Sequence, residues 1–162
     1  MKEKKSVILP GSYDPVTLGH IDIIRRAAEK YESVYVVVFV NPNKEYTFSL
    51  DDRVKMLLLA TDDIDNVMVS YSLGYVIDYM REHSIDMIIK GYRNETDLEY
   101  EKKQAEYNLK MGGYHTELWL SDEKYLQVSS TAARELLKNG GEVVNLLPKS
   151  VIEFIKSKND RK

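Results

Sequence analysis

The sequence predicts a single α/β domain built on a five-stranded parallel sheet with helices on both faces. Runs of apolar and β-branched residues alternate with helix-like runs, which is the pattern of successive β-α-β units. The longest apolar run, residues 34–40, reads Val-Tyr-Val-Val-Val-Phe-Val, as expected of a strand that is covered on both faces. A chain of 162 residues, 43% of them hydrophobic, suits one domain spanning residues 1–162.

Turn and capping residues divide the chain into its elements. The strand-like runs occupy residues 7–9, 34–40, 67–70, 87–89 and 117–120. The helix-like runs occupy residues 21–28, 49–60, 76–83, 97–111, 129–137 and 148–155. Ser49 is a typical N-cap, Gly112 and Gly113 end the fourth helix, and Pro148 suits the first turn of the last helix. Parallel strands joined by right-handed helical crossovers form a Rossmann-like domain.

Charge, cysteine content and hydropathy exclude several classes of protein. The net charge of −3 argues against a general nucleic-acid binder. The absence of cysteine excludes disulfides, a thiolate nucleophile and a cysteine metal site, and it is compatible with a reducing cytoplasm. No apolar run approaches membrane-spanning length, and the apolar stretch after the charged start is too short for a signal peptide. We therefore expect a cytoplasmic protein without nucleic-acid or membrane partners.

The junction at residues 11–20, Gly-Ser-Tyr-Asp-Pro-Val-Thr-Leu-Gly-His, is the most informative stretch of the sequence. It joins the first strand to the first helix, and ligands bind at such junctions in open parallel sheets. Gly11 allows a ligand to approach the backbone, and the helix start beside His20 offers unpaired N–H groups to a phosphate. The alternative is an ordinary turn in which His20 only caps or packs the helix.

Cations and hydroxyls follow the other strands at the same edge of the predicted sheet. Lys44 follows the second strand, Lys90 and Arg93 follow the fourth, and residues 129–131 follow the fifth. Because the carboxyl ends of parallel strands meet at one edge, these groups and His20 describe a polyphosphate site. Two alternatives stay open. Lys44 could be a solvated surface lysine, and residues 129–131 could serve as a helix cap, which does not exclude phosphate binding.

These motifs, in this order, resemble the phosphopantetheine adenylyltransferases of the nucleotidyltransferase superfamily. Residues 17–20, Thr-Leu-Gly-His, are similar to the Thr-x-Gly-His form of the first superfamily motif. Residues 90–93, Lys-Gly-Tyr-Arg, resemble the Arg-Gly-x-Arg block, and residues 97–101, Asp-Leu-Glu-Tyr-Glu, resemble the block after it. Residues 128–131 match the Ile-Ser-Ser-(Ser/Thr) signature, and residues 41–53 resemble the pantetheine-side loop. The similarity covers nearly the whole chain.

The resemblance implies a set of substrate-binding residues. The implied ATP contacts are Ser12, Tyr13, His20, Gly91, Tyr92, Arg93, Glu101, Tyr125, Leu126, Gln127, Val128, Ser129, Ser130 and Thr131. The implied 4′-phosphopantetheine contacts are Ser12, Lys44, Val76 and Lys90. Lys90 stands where the family usually carries arginine, and lysine keeps the charge but loses the bidentate fork. Glu99 and Glu101 point in different directions on a helix, so the glutamate-rich run is expected to be mainly a solvated face.

The resemblance also implies a reaction, namely adenylyl transfer from ATP to 4′-phosphopantetheine, which gives dephospho-coenzyme A and pyrophosphate in coenzyme A biosynthesis. The substrate phosphate would attack the ATP α-phosphate in line, without a covalent enzyme intermediate, so the protein positions anions and stabilises charge. The implied catalytic residues are His20 at the α-phosphate, Lys44 at the acceptor phosphate and Arg93 at the leaving phosphates. Mg²⁺ would arrive with ATP and not be held by protein side chains, and a homohexamer is implied.

Two other functions stay open at this point. One is another small nucleotidyltransferase, of the glycerol-3-phosphate cytidylyltransferase or nicotinate mononucleotide adenylyltransferase type. The Thr-x-Gly-His form and residues 97–101 argue against both types. The other is a nucleotide-binding module without catalysis, which would have no need of His20.

Overall fold

A computed structural model of the protein describes residues 2–160 and contains a five-stranded sheet. The strands are β1 (Glu3–Gly11), β2 (Tyr31–Phe39), β3 (Val67–Ser72), β4 (Met87–Tyr92) and β5 (Thr116–Leu120). Their order across the sheet is β3-β2-β1-β4-β5, and all neighbouring pairs are parallel. The predicted α/β fold with a five-stranded parallel sheet is therefore confirmed. The strand order reverses between β1 and β4.

Helices connect the strands and close the chain. They are α1 (Leu18–Lys30), α2 (Leu50–Ala60), α3 (Val76–His83), α4 (Glu95–Gly112), α5 (Ser130–Lys138) and α6 (Lys149–Asn159). Helix α4 begins earlier than predicted, because the Asn94 side chain accepts a hydrogen bond from the Asp97 N–H and so caps the helix. Pro148 occupies the N-cap of α6 and not its first turn, which corrects the sequence-based assignment.

Alternate residues of the central strands pack into two hydrophobic clusters, one on each face of the sheet. Val7 and Leu9 of β1 belong to the larger cluster, which includes side chains of α1, α2 and α6. Ile8 lies between them and belongs to the smaller cluster, with Tyr79 and Met80 of α3. Successive side chains of a strand point to opposite faces, so helices cover both faces of this sheet. This double coverage explains why β2 is continuously apolar.

Strand β1 extends beyond the apolar residues 7–9 that predicted it. It begins at Glu3, which pairs with Tyr31 of β2 before an irregularity in the register. Backbone pairing at a sheet end does not require an apolar side chain, so hydrophobicity alone could not indicate this extension. Among residues 2–160, none of the helices has the length and apolar character needed to cross a bilayer.

Candidate active site

A cleft of about 370 Å³ lies at the carboxyl ends of β1 and β4, where the strand order reverses. This is the position at which open α/β sheets bind ligands. The cleft brings together most of the predicted nucleotide contacts. Those that line it are Ser12, Tyr13, His20, Gly91, Arg93, Glu101, Val128, Ser129, Ser130 and Thr131.

His20 lies in the first turn of α1, as expected, and its ring is held by the N-cap residue Thr17. The Thr17 N–H donates to His20 Nδ1 at 3.0 Å, and the Thr17 hydroxyl oxygen accepts from the His20 N–H at 3.3 Å. This is a capping box in which histidine takes the place of the usual Glu or Gln. Because Nδ1 acts as an acceptor, the proton of the neutral ring is on Nε2. His20 therefore both caps α1 and offers an N–H donor at the cleft.

The charge state of His20 is set by its surroundings. Burial, and then the positive charges of Lys90 and Arg93, lower the pKa of the His20 imidazole to about 4. The edge of the ring meets the Tyr13 ring, with 4.9 Å between ring centroids. At neutral pH the imidazole is thus a neutral hydrogen-bond donor and not a cation.

Tyr13 is a structural part of the cleft wall. Its hydroxyl donates to the Leu9 carbonyl at 2.8 Å, and burial, then the charge of Glu101, raise the pKa of the phenol above its usual range. A Cβ atom at Gly11 would stand 3.1 Å from the Tyr13 ring. A larger residue at position 11 would therefore press on the Tyr13 ring, so Gly11 favours the packing of Tyr13 in addition to the ligand access that the sequence suggested.

Lys90 and Glu101 form an ion pair at the floor of the cleft. The Lys90 ammonium lies 3.1 Å from Glu101 Oε2 and donates to the Pro10 carbonyl at 3.2 Å. Glu101 is 7% exposed, so the expectation that the glutamate-rich run is mainly a solvated face is wrong for this residue. The partner cation makes its burial possible. Within the described part of the chain, Glu101 Oε1 has no hydrogen-bond partner.

A second cleft, of about 460 Å³, adjoins the first and contains the predicted acceptor contacts. Ser12, Lys44 and Lys90 line both clefts, whereas Val76 lines only the second. Lys44 is exposed, and its ammonium lies 3.5 Å from the Ser12 hydroxyl and 5.4 Å from the centroid of the Tyr46 ring. Lys44 therefore lies at the boundary between the two clefts, which Ser12, Lys44 and Lys90 line and which we call the seam. This position disfavours a role as an ordinary surface lysine.

Arg93 and the start of α5 line the first cleft. Asp97 accepts from both the backbone N–H and the Nε–H of Arg93, each at 3.1 Å. On α5, Ser129 is the N-cap and accepts from the Ala132 N–H, while the Ser130 hydroxyl donates to the Pro15 carbonyl. These two hydroxyls are already engaged by the protein. The backbone N–H groups of Ser130 and Thr131, for which the helix supplies no acceptor, are the better anion donors.

Four predicted ATP contacts line neither cleft, namely Tyr92, Tyr125, Leu126 and Gln127. Tyr92 ends β4, and its carbonyl accepts from the Ser121 N–H. The segment of residues 125–128 packs beside Gly19, where a Cβ atom would lie 3.7 Å from the Val128 carbonyl. Of this segment, Val128 reaches the first cleft.

Sequence reasoning gave no role to Asp14, Arg53 and Arg134, although all three hold the site together. Asp14 accepts from the Thr47 and Phe48 N–H groups, and Arg53 donates to the Ser12 and Phe48 carbonyls. Arg134 donates to the Asp14 carbonyl at 2.9 Å. Two features of the sequence could have indicated these roles. Asp14 lies inside the motif at residues 11–20, and Arg53 lies beside the loop after β2.

Carboxylates near the clefts are occupied by protein partners. Asp14 binds backbone N–H groups, Asp97 binds Arg93, and Glu101 binds Lys90. Over residues 2–160, no group of at least three His, Asp or Glu side chains is arranged to hold a metal ion.

Comparison with known proteins identifies the family of this chain and agrees with its fold. A family model described as cytidylyltransferase-like matches residues 8–136, so the chain belongs to the cytidylyltransferase-like family. A phosphopantetheine adenylyltransferase of Corynebacterium efficiens is 41% identical over 152 residues, which cover 93% of this chain and 96% of the relative. The protein of that name from Thermobifida fusca is 40% identical over 154 residues, covering 95% and 94% of the two chains. Within the wider family, the chain belongs to the phosphopantetheine adenylyltransferases.

Proposed function

We propose that this protein transfers the adenylyl group of ATP to 4′-phosphopantetheine, giving dephospho-coenzyme A and pyrophosphate. Membership of the family supports the reaction, and one observation supports its location. Two clefts meet at a seam that Ser12, Lys44 and Lys90 line from both sides. A transfer between two phosphorylated substrates needs such an arrangement, in which two anions meet in line between cations.

His20 would act on the α-phosphate of ATP. Its Nδ1 is held by the Thr17 N–H, so Nε2 carries the donor proton. With the pKa of the imidazolium lowered to about 4, the ring is neutral at neutral pH and acts as a hydrogen-bond donor through Nε2. Charge builds on the α-phosphate oxygens in the transition state, where a fixed donor stabilises it most. The substrate phosphate is itself the nucleophile, so no side chain has to attack.

The acceptor phosphate would lie at the seam between the clefts. Lys44 is exposed there and already reaches the Ser12 hydroxyl, so its ammonium can turn to a phosphate at little cost. Lys90 is held by Glu101 and by the Pro10 carbonyl, and it supplies a fixed positive charge. The pantetheine arm would extend into the second cleft past Val76.

The leaving pyrophosphate would be held on the opposite side of the α-phosphate. Arg93 is fixed by Asp97, and the start of α5 presents first-turn N–H groups and a positive dipole end to the same cleft. Glu101 Oε1, which has no partner among the described residues, suits a ribose hydroxyl of ATP. Mg²⁺ would be bound by the ATP phosphates and would neutralise part of their charge.

A homohexamer is part of the same proposal. Tyr107, Leu109 and Met111 near the end of α4 are each more than half exposed, at 57%, 55% and 57%. Exposed large apolar side chains on one helix support contact with other copies of the chain. Light scattering coupled to size-exclusion chromatography tests the assembly, and a monomer at micromolar concentration would contradict it.

The reaction is tested by measuring pyrophosphate release with three combinations of nucleotide and acceptor, the first of which is ATP with phosphopantetheine. Phosphopantetheine should support release, and mass spectrometry should detect dephospho-coenzyme A. Nicotinate mononucleotide with ATP, and glycerol-3-phosphate with CTP, should give only the background rate seen without acceptor. Release with either of these, and not with phosphopantetheine, would replace the proposed reaction by that of another nucleotidyltransferase. Binding of ATP without release under any condition would indicate a non-catalytic module.

A further inference from the structure

Two buried residues of opposite charge join the loops that form the two clefts. Asp14, in the loop after β1, is 3% exposed, and Arg53, in the first turns of α2, is 2% exposed. The carboxylate of Asp14 accepts from the backbone N–H groups of Thr47 and Phe48, both at 2.9 Å. These bonds connect the loop that bears Ser12 to the loop that bears Lys44.

Arg53 makes the reverse connection between the same loops. Its Nε–H donates to the Phe48 carbonyl at 3.1 Å, and its Nη1 group donates to the Ser12 carbonyl at 3.0 Å. The guanidinium also stacks on Tyr46, with 3.8 Å between Arg53 Cζ and the ring centroid. Arginine's planar fork suits this double contact, which a single ammonium could not reproduce.

From this geometry we infer that Asp14 and Arg53, hereafter the Asp14–Arg53 clamp, are positioning residues that fix Lys44 relative to Ser12 and thereby set the affinity for the phosphorylated acceptor. The inference rests on the proposed function. Neither residue has to touch a substrate for this role. Both residues bind backbone atoms of the segment just after Lys44, and Arg53 also binds the Ser12 carbonyl. The loss of either residue would let the loop that bears Lys44 move away from the seam.

The effect should appear in acceptor binding and much less in ATP binding. Lys44 lies at the seam, whereas His20, Arg93 and the start of α5 are held by Thr17, Asp97 and Pro15. Loosening the loop after β2 leaves those three contacts in place. A displaced Lys44 would lose its hydrogen bond to the acceptor phosphate. Loss of one hydrogen bond to an ionised group corresponds to roughly tenfold or more in affinity for that substrate.

The test uses Asp14→Asn and Arg53→Lys in the full chain, with KM for each substrate and kcat measured by pyrophosphate release. Asp14→Asn removes one hydrogen-bond acceptor and one negative charge. The loss of negative charge would by itself favour binding of the anionic phosphopantetheine. Arg53→Lys keeps the charge. We therefore expect both variants to raise KM for phosphopantetheine roughly tenfold and to leave KM for ATP within about twofold of wild type. The cause would be the displacement of Lys44 relative to Ser12 and not a change in net charge.

Asp52→Asn is the matched control. Asp52 precedes Arg53 in α2, pairs with Lys158 at 3.1 Å and lines neither cleft. This variant should lower the melting temperature slightly and leave both KM values unchanged. A clamp that is only structural would make Asp14→Asn and Arg53→Lys behave in the same way as the control, and that result would overturn the inference. Equal rises of both KM values in Arg53→Lys would also overturn it, and this second variant decides if Asp14→Asn does not fold.

Failure of the proposed function would look different. A wild-type protein that releases no pyrophosphate with phosphopantetheine rejects the reaction. The clamp is then judged by amide hydrogen exchange, in which Asp14→Asn should speed exchange at Thr47 and Phe48 and leave the first turn of α1 unchanged. Unchanged exchange at both amides would overturn the clamp whatever the reaction is.

Discussion

Replacing His20 by glutamine separates its proposed catalytic role from its role as a helix cap. His20 is the N3 residue of the capping box that begins α1, and glutamine at N3 is an accepted member of such boxes. A glutamine carbonyl oxygen can therefore accept from the Thr17 N–H as Nδ1 does. The amide NH2 group of glutamine is on a longer, flexible side chain, so the donor is not fixed at the position of Nε2 as it is in the rigid imidazole. His20→Ala, by contrast, removes both functions at once.

The two variants should lose kcat equally and differ in stability. Loss of a donor that acts on charge developing in the transition state typically costs about 10²–10³-fold in kcat, so both variants should lose that much. Loss of the cap costs about 1 kcal/mol, which should lower the melting temperature of His20→Ala by about 2–4 °C. His20→Gln should melt near the wild type. ATP should still bind to both, because Arg93 and the start of α5 remain in the cleft.

The assay measures kcat by pyrophosphate release, ATP affinity by calorimetry and melting temperature by circular dichroism, on the same preparations. His83→Gln is the control, because His83 lies in the last turn of α3, contacts the Tyr79 carbonyl and lines neither cleft. It should keep the wild-type kcat. If His20→Gln were stable, bound ATP and turned over at the wild-type rate, His20 would only cap the helix and the catalytic assignment would be refuted.

Three further predictions concern Lys44, Lys90 and the pH dependence of stability. Lys44→Ala should weaken phosphopantetheine binding on the order of tenfold and ATP binding little, and equal losses in separate calorimetric titrations would contradict its place at the seam. Lys90→Arg should keep activity, since arginine retains the positive charge beside Glu101 Oε2 and its fork suits the edge of a phosphate. Lys90→Ala should raise KM for phosphopantetheine or lower kcat, and full activity would remove Lys90 from the site. Above pH 6.5 the titration of His20 does not change the free energy of unfolding, because the ring is neutral in both the folded and the unfolded chain. As the pH falls from 6.5 to about 4, the unfolded chain binds a proton that the folded chain does not, so the folded state loses stability. Because His20 is only partly buried, this should destabilise the wild type relative to His20→Gln by at most about 3 kcal/mol. A difference in free energy of unfolding between the two proteins that stayed constant from pH 7 to pH 4 would contradict the lowered pKa.

Local sequence patterns were sufficient to predict the order of the elements and the edge of the sheet at which the candidate site lies. Local patterns carry this information. The apolar run of β2 indicates a strand with both faces covered, and Ser49 and the Gly112–Gly113 pair mark helix ends. The carboxyl ends of parallel strands must share one edge, so His20, Lys90 and the start of α5 could be placed together before any distance was known.

The pairing of groups across that edge depends on contacts between residues that are distant in the sequence. Lys90 binds the Pro10 carbonyl at a separation of 80 residues, and Asp14 binds the Thr47 N–H at a separation of 33. Helical and strand periodicity extends over one element and says nothing about such pairs. Glu101 illustrates the consequence, because a glutamate in a charged helix is exposed by default and is buried here only through the cation that β4 brings to it.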